Sequence, residues 1–99
     1  MRPVITAVKT HDADLARQLR KAVASVPLNL NEGRRRSGRD RLHSWRIAAG
    51  SADEAQACLL VAEAWGYIGN DDIERALELI DSLLAILWTL TNKPRNRRG

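Results

Sequence analysis

The stretch Asn29-Leu30-Asn31-Glu32-Gly33-Arg34-Arg35-Arg36-Ser37-Gly38-Arg39-Asp40-Arg41 decides how this chain folds. It reads as the turn between two helices. Gly33 suits the C′ position that ends a helix, where a positive φ is cheap only for glycine. Ser37-x-x-Asp40 then reads as the start of the next helix. The Ser37 hydroxyl would accept an orphan N–H, and Asp40 would face the positive end of the helix dipole. Between these signals stand three consecutive arginines, with Arg39 and Arg41 just beyond. The densest positive charge in the molecule therefore falls on a hairpin held at both ends.

Upstream, from about Asp14 to Glu32, Leu15, Leu19, Ala22, Val23, Val26 and Leu30 recur at spacings of three and four, which marks one buried helical face. Arg17, Arg20 and Lys21 fall largely on the other side. Pro27 lies inside the pattern, lacks an N–H and is expected to kink or split the helix. Before it, Pro3 to Thr10 can form two turns of helix with Pro3 at its first position, and Asp12 or Asp14 can cap the second helix.

Downstream, the longest helix is expected from about Gly38 to Tyr67. Leu42, Trp45, Ala49, Ala52, Gln56 and Leu59 follow a heptad-like spacing along it. Gly50 costs a helix about 1 kcal/mol against Ala, so it suggests tight helix packing. Gly66 and Gly69 bracket the end, and Asn70 is placed to cap the last helix, Asp71 to Thr91. That helix has two stripes. Ile73, Leu77, Ile80, Leu84 and Leu87 form one; Ala76, Leu79, Leu83, Ile86 and Leu90 form the other. One stripe suffices for a bundle core. Two require cover on two sides, which in so small a chain points to another copy of the protein.

No strand pattern, linker or repeat competes. The fold expected is all-α: an up-and-down antiparallel four-helix bundle with a short first helix, a single domain over residues 1–92, followed by a disordered basic tail at 93–99. The net charge of +4 conceals a division. Residues 1–46 hold eleven Lys/Arg against four Asp/Glu, whereas residues 47–92 hold one against eight. A basic half implies an anionic partner, of which nucleic acid is the commonest. The acidic half equally allows one copy to meet another. One cysteine excludes an internal disulfide, and no apolar run approaches the ~20 residues of a membrane span. A soluble, cytoplasmic protein without a membrane partner is expected.

Gln18-Leu-Arg-Lys-Ala22, Ser25-Val-Pro-Leu-Asn29-Leu-Asn-Glu32-Gly33, Arg46-Ile-Ala-Ala-Gly50-Ser51-Ala-Asp-Glu54 and Trp65-Gly66-Tyr67 occur in an order and spacing that resemble a known family. It is the four-helix-bundle proteins encoded in intervening sequences of bacterial 23S ribosomal RNA genes. The resemblance covers roughly residues 14–91. It implies an up-and-down bundle that assembles into a homo-oligomeric ring, a pentamer. It also points to the accessory proteins of diversity-generating retroelements, which share bundle and ring, bind nucleic acid through a basic surface and work beside a reverse transcriptase. The family places a full-length first helix where this chain has only residues 1–10. Helix one is then a stub, or the natural start lies upstream.

The arginine hairpin is the strongest functional signal. Arg34, Arg35, Arg36, Arg39 and Arg41, with Arg46 further on and Arg20 and Lys21 on helix two, could track phosphates, since guanidinium pairs with phosphate in a bidentate fork. The competing reading is a set of arginines that bridge subunits of a structural oligomer or adaptor. No aromatic residue is interleaved, so binding to RNA or DNA should follow backbone charge more than base identity. Gly33-Arg-Arg-Arg-Ser-Gly38 lacks the Gly-Lys-Ser/Thr and the preceding strand of a phosphate loop. Asp40-x-x-His43 lacks the second motif that a bundle metal site needs. Cys58 reads as a small buried hydrophobe. Asn29, Glu32 and Glu54, with Arg46 as a further partner, are expected to form a structural polar network. Trp45, Trp65 and Trp88 read as core or subunit-interface anchors. Neither catalytic residues nor a metal nor a cofactor is expected.

Overall fold

The computed structural model describes residues 1–92, so the expectation for the tail at 93–99 lies outside the described residues. Among the described residues every regular element is helical: α1 (Arg2–His11), α2 (Ala13–Arg34), α3 (Gly38–Ala64) and α4 (Asn70–Asn92). Each helix packs on the next, α2 against α3 most extensively, and α1 also touches α4. The connections are short, so successive helices run antiparallel. The molecule is a rod of 50 × 19 × 16 Å.

Local chemistry sets each boundary. Pro3 opens α1, where its missing N–H costs nothing, and Val4 and Val8 bury one side of it. Asp12 alone separates α1 from α2. Its backbone N–H donates to the Val8 carbonyl at 2.7 Å, and its carboxylate accepts from Leu15 N at 3.0 Å. One residue thus ends one helix and caps the next. At the far end of α3, Gly66 takes φ 70°, Gly66 N donates to Glu63 O and Tyr67 N donates to Ala62 O, both at 3.0 Å. This is a Schellman closure. His11 stacks flat on Tyr67 at 5.0 Å, which ties the end of α1 to this turn.

Several expectations change. α2 runs as one helix through Pro27, which is exposed, so the helix is not split there. Gly33 lies within α2 and is buried; the glycine with positive φ at this turn is Gly38, at 57°. Ser37 precedes α3 but makes no side-chain cap bond. Asn70 is the first residue of α4, and the carbonyl of Gly69 accepts its opening bond from Ile73 N. Gly50 is exposed, and a Cβ added there would meet nothing within 4 Å, so no tight contact inside the chain explains it.

The core has two parts. The larger joins all four helices around Val8, Leu19, Leu59, Ile73 and Ile80. The smaller joins only α2, α3 and α4 around Val26, Ala48, Ala52 and Leu87. The reason is length: α1 is ten residues against 22, 27 and 23 for the others. At 1.5 Å per residue it reaches about 15 Å, less than half of any neighbour. The half of the rod bearing the α2–α3 turn is therefore three helices wide.

Candidate nucleic-acid interface

The turn between α2 and α3 is built from arginine. Arg35 N donates to Glu32 O at 3.2 Å and Arg36 N to Gly33 O at 3.1 Å, which winds down α2. Arg41, in the first turn of α3, then reaches back. Its Nε donates to Gly33 O at 3.1 Å and to Arg36 O at 3.0 Å, so carbonyls at the helix end meet a cation. The Arg41 guanidinium also lies 5.6 Å from the ring centroid of Trp45. Trp45 in turn donates Nε1–H to Leu30 O at 3.3 Å and presses on Gly33. A Cβ on Gly33 would lie 2.5 Å from Trp45 Cδ1, so only glycine admits the indole there.

This geometry divides the candidate arginines. Arg41 is half-buried and holds the turn together. Arg36 is exposed and paired with Glu32 one helical turn earlier, through Nε and Nη2, both 2.5 Å from Oε2. Arg34, Arg35 and Arg39 are exposed and make no ion pair among the described residues. Arg46 is exposed on α3, five residues beyond Arg41. Arg20 and Lys21 are exposed on α2, but thirteen or fourteen residues before Arg34, which is about 20 Å of helix. The structure does not bring them to the turn.

The expected network of Asn29, Glu32 and Glu54 is not joined. Asn29 Nδ2 donates to Ser25 O at 2.9 Å and to Ser25 Oγ at 3.0 Å, and Ser51 Oγ donates to Ser25 Oγ at 2.7 Å. The serine pair joins α2 to α3 side chain to side chain, and Asn29 holds Ser25 from within α2. Glu32 turns to Arg36 instead because that partner is an i,i+4 neighbour. Glu54 is exposed, and Arg46 pairs with neither acid. Glu54 does act on Cys58. Burial chiefly, and then the Glu54 charge, push that thiol above its ordinary range.

Asp40 and His43 border a shallow cavity of about 340 Å³ together with Glu32, Arg36 and Ser44. Among the described residues no group of three or more His, Cys, Asp or Glu is placed to hold a metal ion. Among the described residues no helix is long and apolar enough to cross a membrane. Trp65 and Trp88 are 71% and 66% exposed, so neither is a core anchor within one chain. Sequence reasoning missed the locking roles of Gly33 and Arg41. The signal available was a glycine and a tryptophan in helices joined by a tight turn.

A short α1 closing one end of three long helices, with a cationic turn at the other, defines an all-α four-helix protein. The family model of the 23S rRNA-intervening sequence protein matches residues 4–89, and the chain belongs to that family. Searches of curated proteins and of solved structures gave no match.

Proposed function

We propose that this protein is a non-catalytic, homo-oligomeric nucleic-acid-binding protein whose α2–α3 turn contacts backbone phosphates of RNA or DNA. The observation that carries this reading is that Arg34, Arg35 and Arg39 are exposed and without an ion pair among the described residues, on a turn that the bonds of Arg41 and Trp45 hold together. A positioned guanidinium loses less entropy on meeting a phosphate than one on a floppy loop. Arg36 joins by exchanging Glu32 for phosphate, and Arg46 extends the track along α3. Arg20 and Lys21 serve a longer strand that runs down α2. Assembly into a ring of five multiplies the turn and its charge. The partner protein, where there is one, is a reverse transcriptase or another protein of the cytoplasm, in keeping with the resemblance to accessory proteins of diversity-generating retroelements.

A second reading is a structural oligomer or adaptor whose arginines bridge subunits. It is favoured by the exposure of Leu28, Leu79, Ile86, Trp65 and Trp88 on the single chain. A salt titration separates the two. Changing Arg34, Arg35 and Arg39 together to Ala should weaken binding to a single strand and to a duplex alike. It should lower the salt slope by roughly 2 to 3, at about 0.7–0.9 per phosphate contact. An unchanged affinity and slope, with assembly lost, establishes the adaptor.

A further inference from the structure

α1 and α2 meet over a second basic feature, at the opposite end of α2 from the arginine turn. Between the two helices lies a cleft of about 400 Å³. Ile5 of α1 and Ala13 and Ala16 of α2 give it an apolar lining. Thr6 and Lys9 of α1 and Arg17 and Arg20 of α2 form its polar border. Thr6 and Lys9 stand three residues apart on one helix, as do Arg17 and Arg20 on the other, so each pair shares a helical face. The single residue between the helices, Asp12, folds them back on each other, and both pairs come to border one cleft.

Three cations border this cleft and no acid does. Arg17 is paired with Asp14, whose carboxylate also accepts from Gln18 Nε2 at 3.2 Å. Lys9 and Arg20 are exposed and make no ion pair among the described residues. Like charges at neighbouring helical positions destabilise a helix, and here a third cation joins them from α1. A bound anion relieves that repulsion, whereas salt only screens it. With Arg17 offset by Asp14, about two positive charges stay unbalanced, which matches a terminal phosphate at about −1.5 to −2 and exceeds the single charge of an internal diester. Shape agrees with charge. A strand can end in a recess, whereas an internal phosphate carries chain away on both sides and suits the exposed arginines of the turn.

We propose that the α1–α2 cleft binds the terminal phosphomonoester of a nucleic-acid strand. Lys9 and Arg20 are its direct contacts, the Thr6 hydroxyl donates a hydrogen bond to it, and Arg17 stands at the rim. This rests on the reading that the α2–α3 turn holds backbone phosphates, and it names where the strand that runs down α2 ends. Arg20 and Arg34 are about 21 Å apart along the helix, so end and backbone are gripped at separate places. α1 thereby supplies a contact of its own to the ligand, through Lys9.

Fluorescence anisotropy of the full chain at low salt tests it, with RNA and DNA strands labelled internally and ending in hydroxyls, in a 5′-phosphate or in a 3′-phosphate. Wild-type protein should bind a strand phosphorylated at one end roughly three- to tenfold more tightly than its hydroxyl-ended twin, the gain that one or two exposed charge contacts give. Lys9→Ala and Arg20→Ala should each bring that ratio close to one. Both positions are exposed, and helix content and a cooperative melt check that each variant folds. Changing Arg34, Arg35 and Arg39 together to Ala should weaken both strands and keep the ratio. A ratio of one in the wild type, or a ratio that both single variants keep, overturns the cleft and leaves the turn standing. A nucleoside monophosphate that binds the cleft more tightly than the phosphorylated strand does assigns it to free nucleotides and overturns the strand end. Failure of every strand to bind overturns turn and cleft together.

Discussion

The two halves of the rod are made by the same three long helices, and differ only in whether α1 lies beside them. Where it does, Val8, Leu19 and Leu59 are wholly shielded from water. Where it does not, Leu30, Leu83 and Leu90 are half-buried and Ile86 is exposed. Val26, Ala48, Ala52 and Leu87 are nonetheless buried among α2, α3 and α4 alone, so the difference lies on the side of the rod that α1 covers. An interior that is enclosed on all sides cannot relax around a deletion as one beside an open groove can. Leu59→Ala, in the enclosed half, should therefore cost about 4 kcal/mol, and Leu87→Ala, in the half without α1, about 2–3 kcal/mol. Both leucines are fully buried, so chemistry and exposure are matched. Urea unfolding of the two at equal concentration makes the measurement, and a larger cost at Leu87 would break the comparison.

Two glycines sharpen the contrast at a smaller scale. Gly33 faces an indole within the chain, whereas Gly50 faces open space. Gly33→Ala must displace Trp45, at a cost of about 1–3 kcal/mol from overpacking. Its signature is a change in Trp45 fluorescence together with weakened Arg41 bonds at the turn. Gly50→Ala removes a helix-interior glycine and should raise the stability of a single chain by up to about 1 kcal/mol. The opposite signs, read from the same denaturation curve, test whether each glycine is retained for contact or for an outer surface.

The helices α2 and α4 were legible in the sequence because their apolar residues keep the helical period. Asp12 and Gly66 were equally open to reading, since a cap acts within its own turn. What escaped was set by residues distant in sequence. A glycine at a helix end looks the same whether it supplies a positive φ or yields to an indole; only the position of Trp45 across the turn decides between them. Glu54 reads as an inward residue because it lies among alanines and cysteine. α3 carries small apolar residues on both faces, Ala55 and Ala62 inward, Ala57 and Ala64 outward. Its pattern therefore does not say which face is buried. In the basic stretch, charge marked the turn as the candidate interface. It could not show that Arg41 is spent on two carbonyls and Trp45, or that Arg36 is held by Glu32.

The smallest expected effect concerns Cys58, which belongs to the half that α1 closes. Its thiol titrates above the ordinary range, first because burial disfavours the thiolate and second because Glu54 adds negative charge. The folded chain then holds the proton more tightly than the unfolded chain. Its contribution to stability is whole below the unfolded thiol's pKa and is lost as pH rises from there through the folded value. Stability should decline modestly on the alkaline side of the ordinary thiol range, and Cys58→Ala should flatten that limb while leaving neutral pH little changed. The same thiol reports on the α1 corner. Asp12→Ala removes the cap that joins α1 to α2, at a cost of about 1 kcal/mol. If α1 is what encloses this half, a thiol reagent should then reach Cys58 several-fold faster at neutral pH. An unchanged rate would mean that α2, α3 and α4 shield the thiol without help, and that the two halves differ less than their burial suggests.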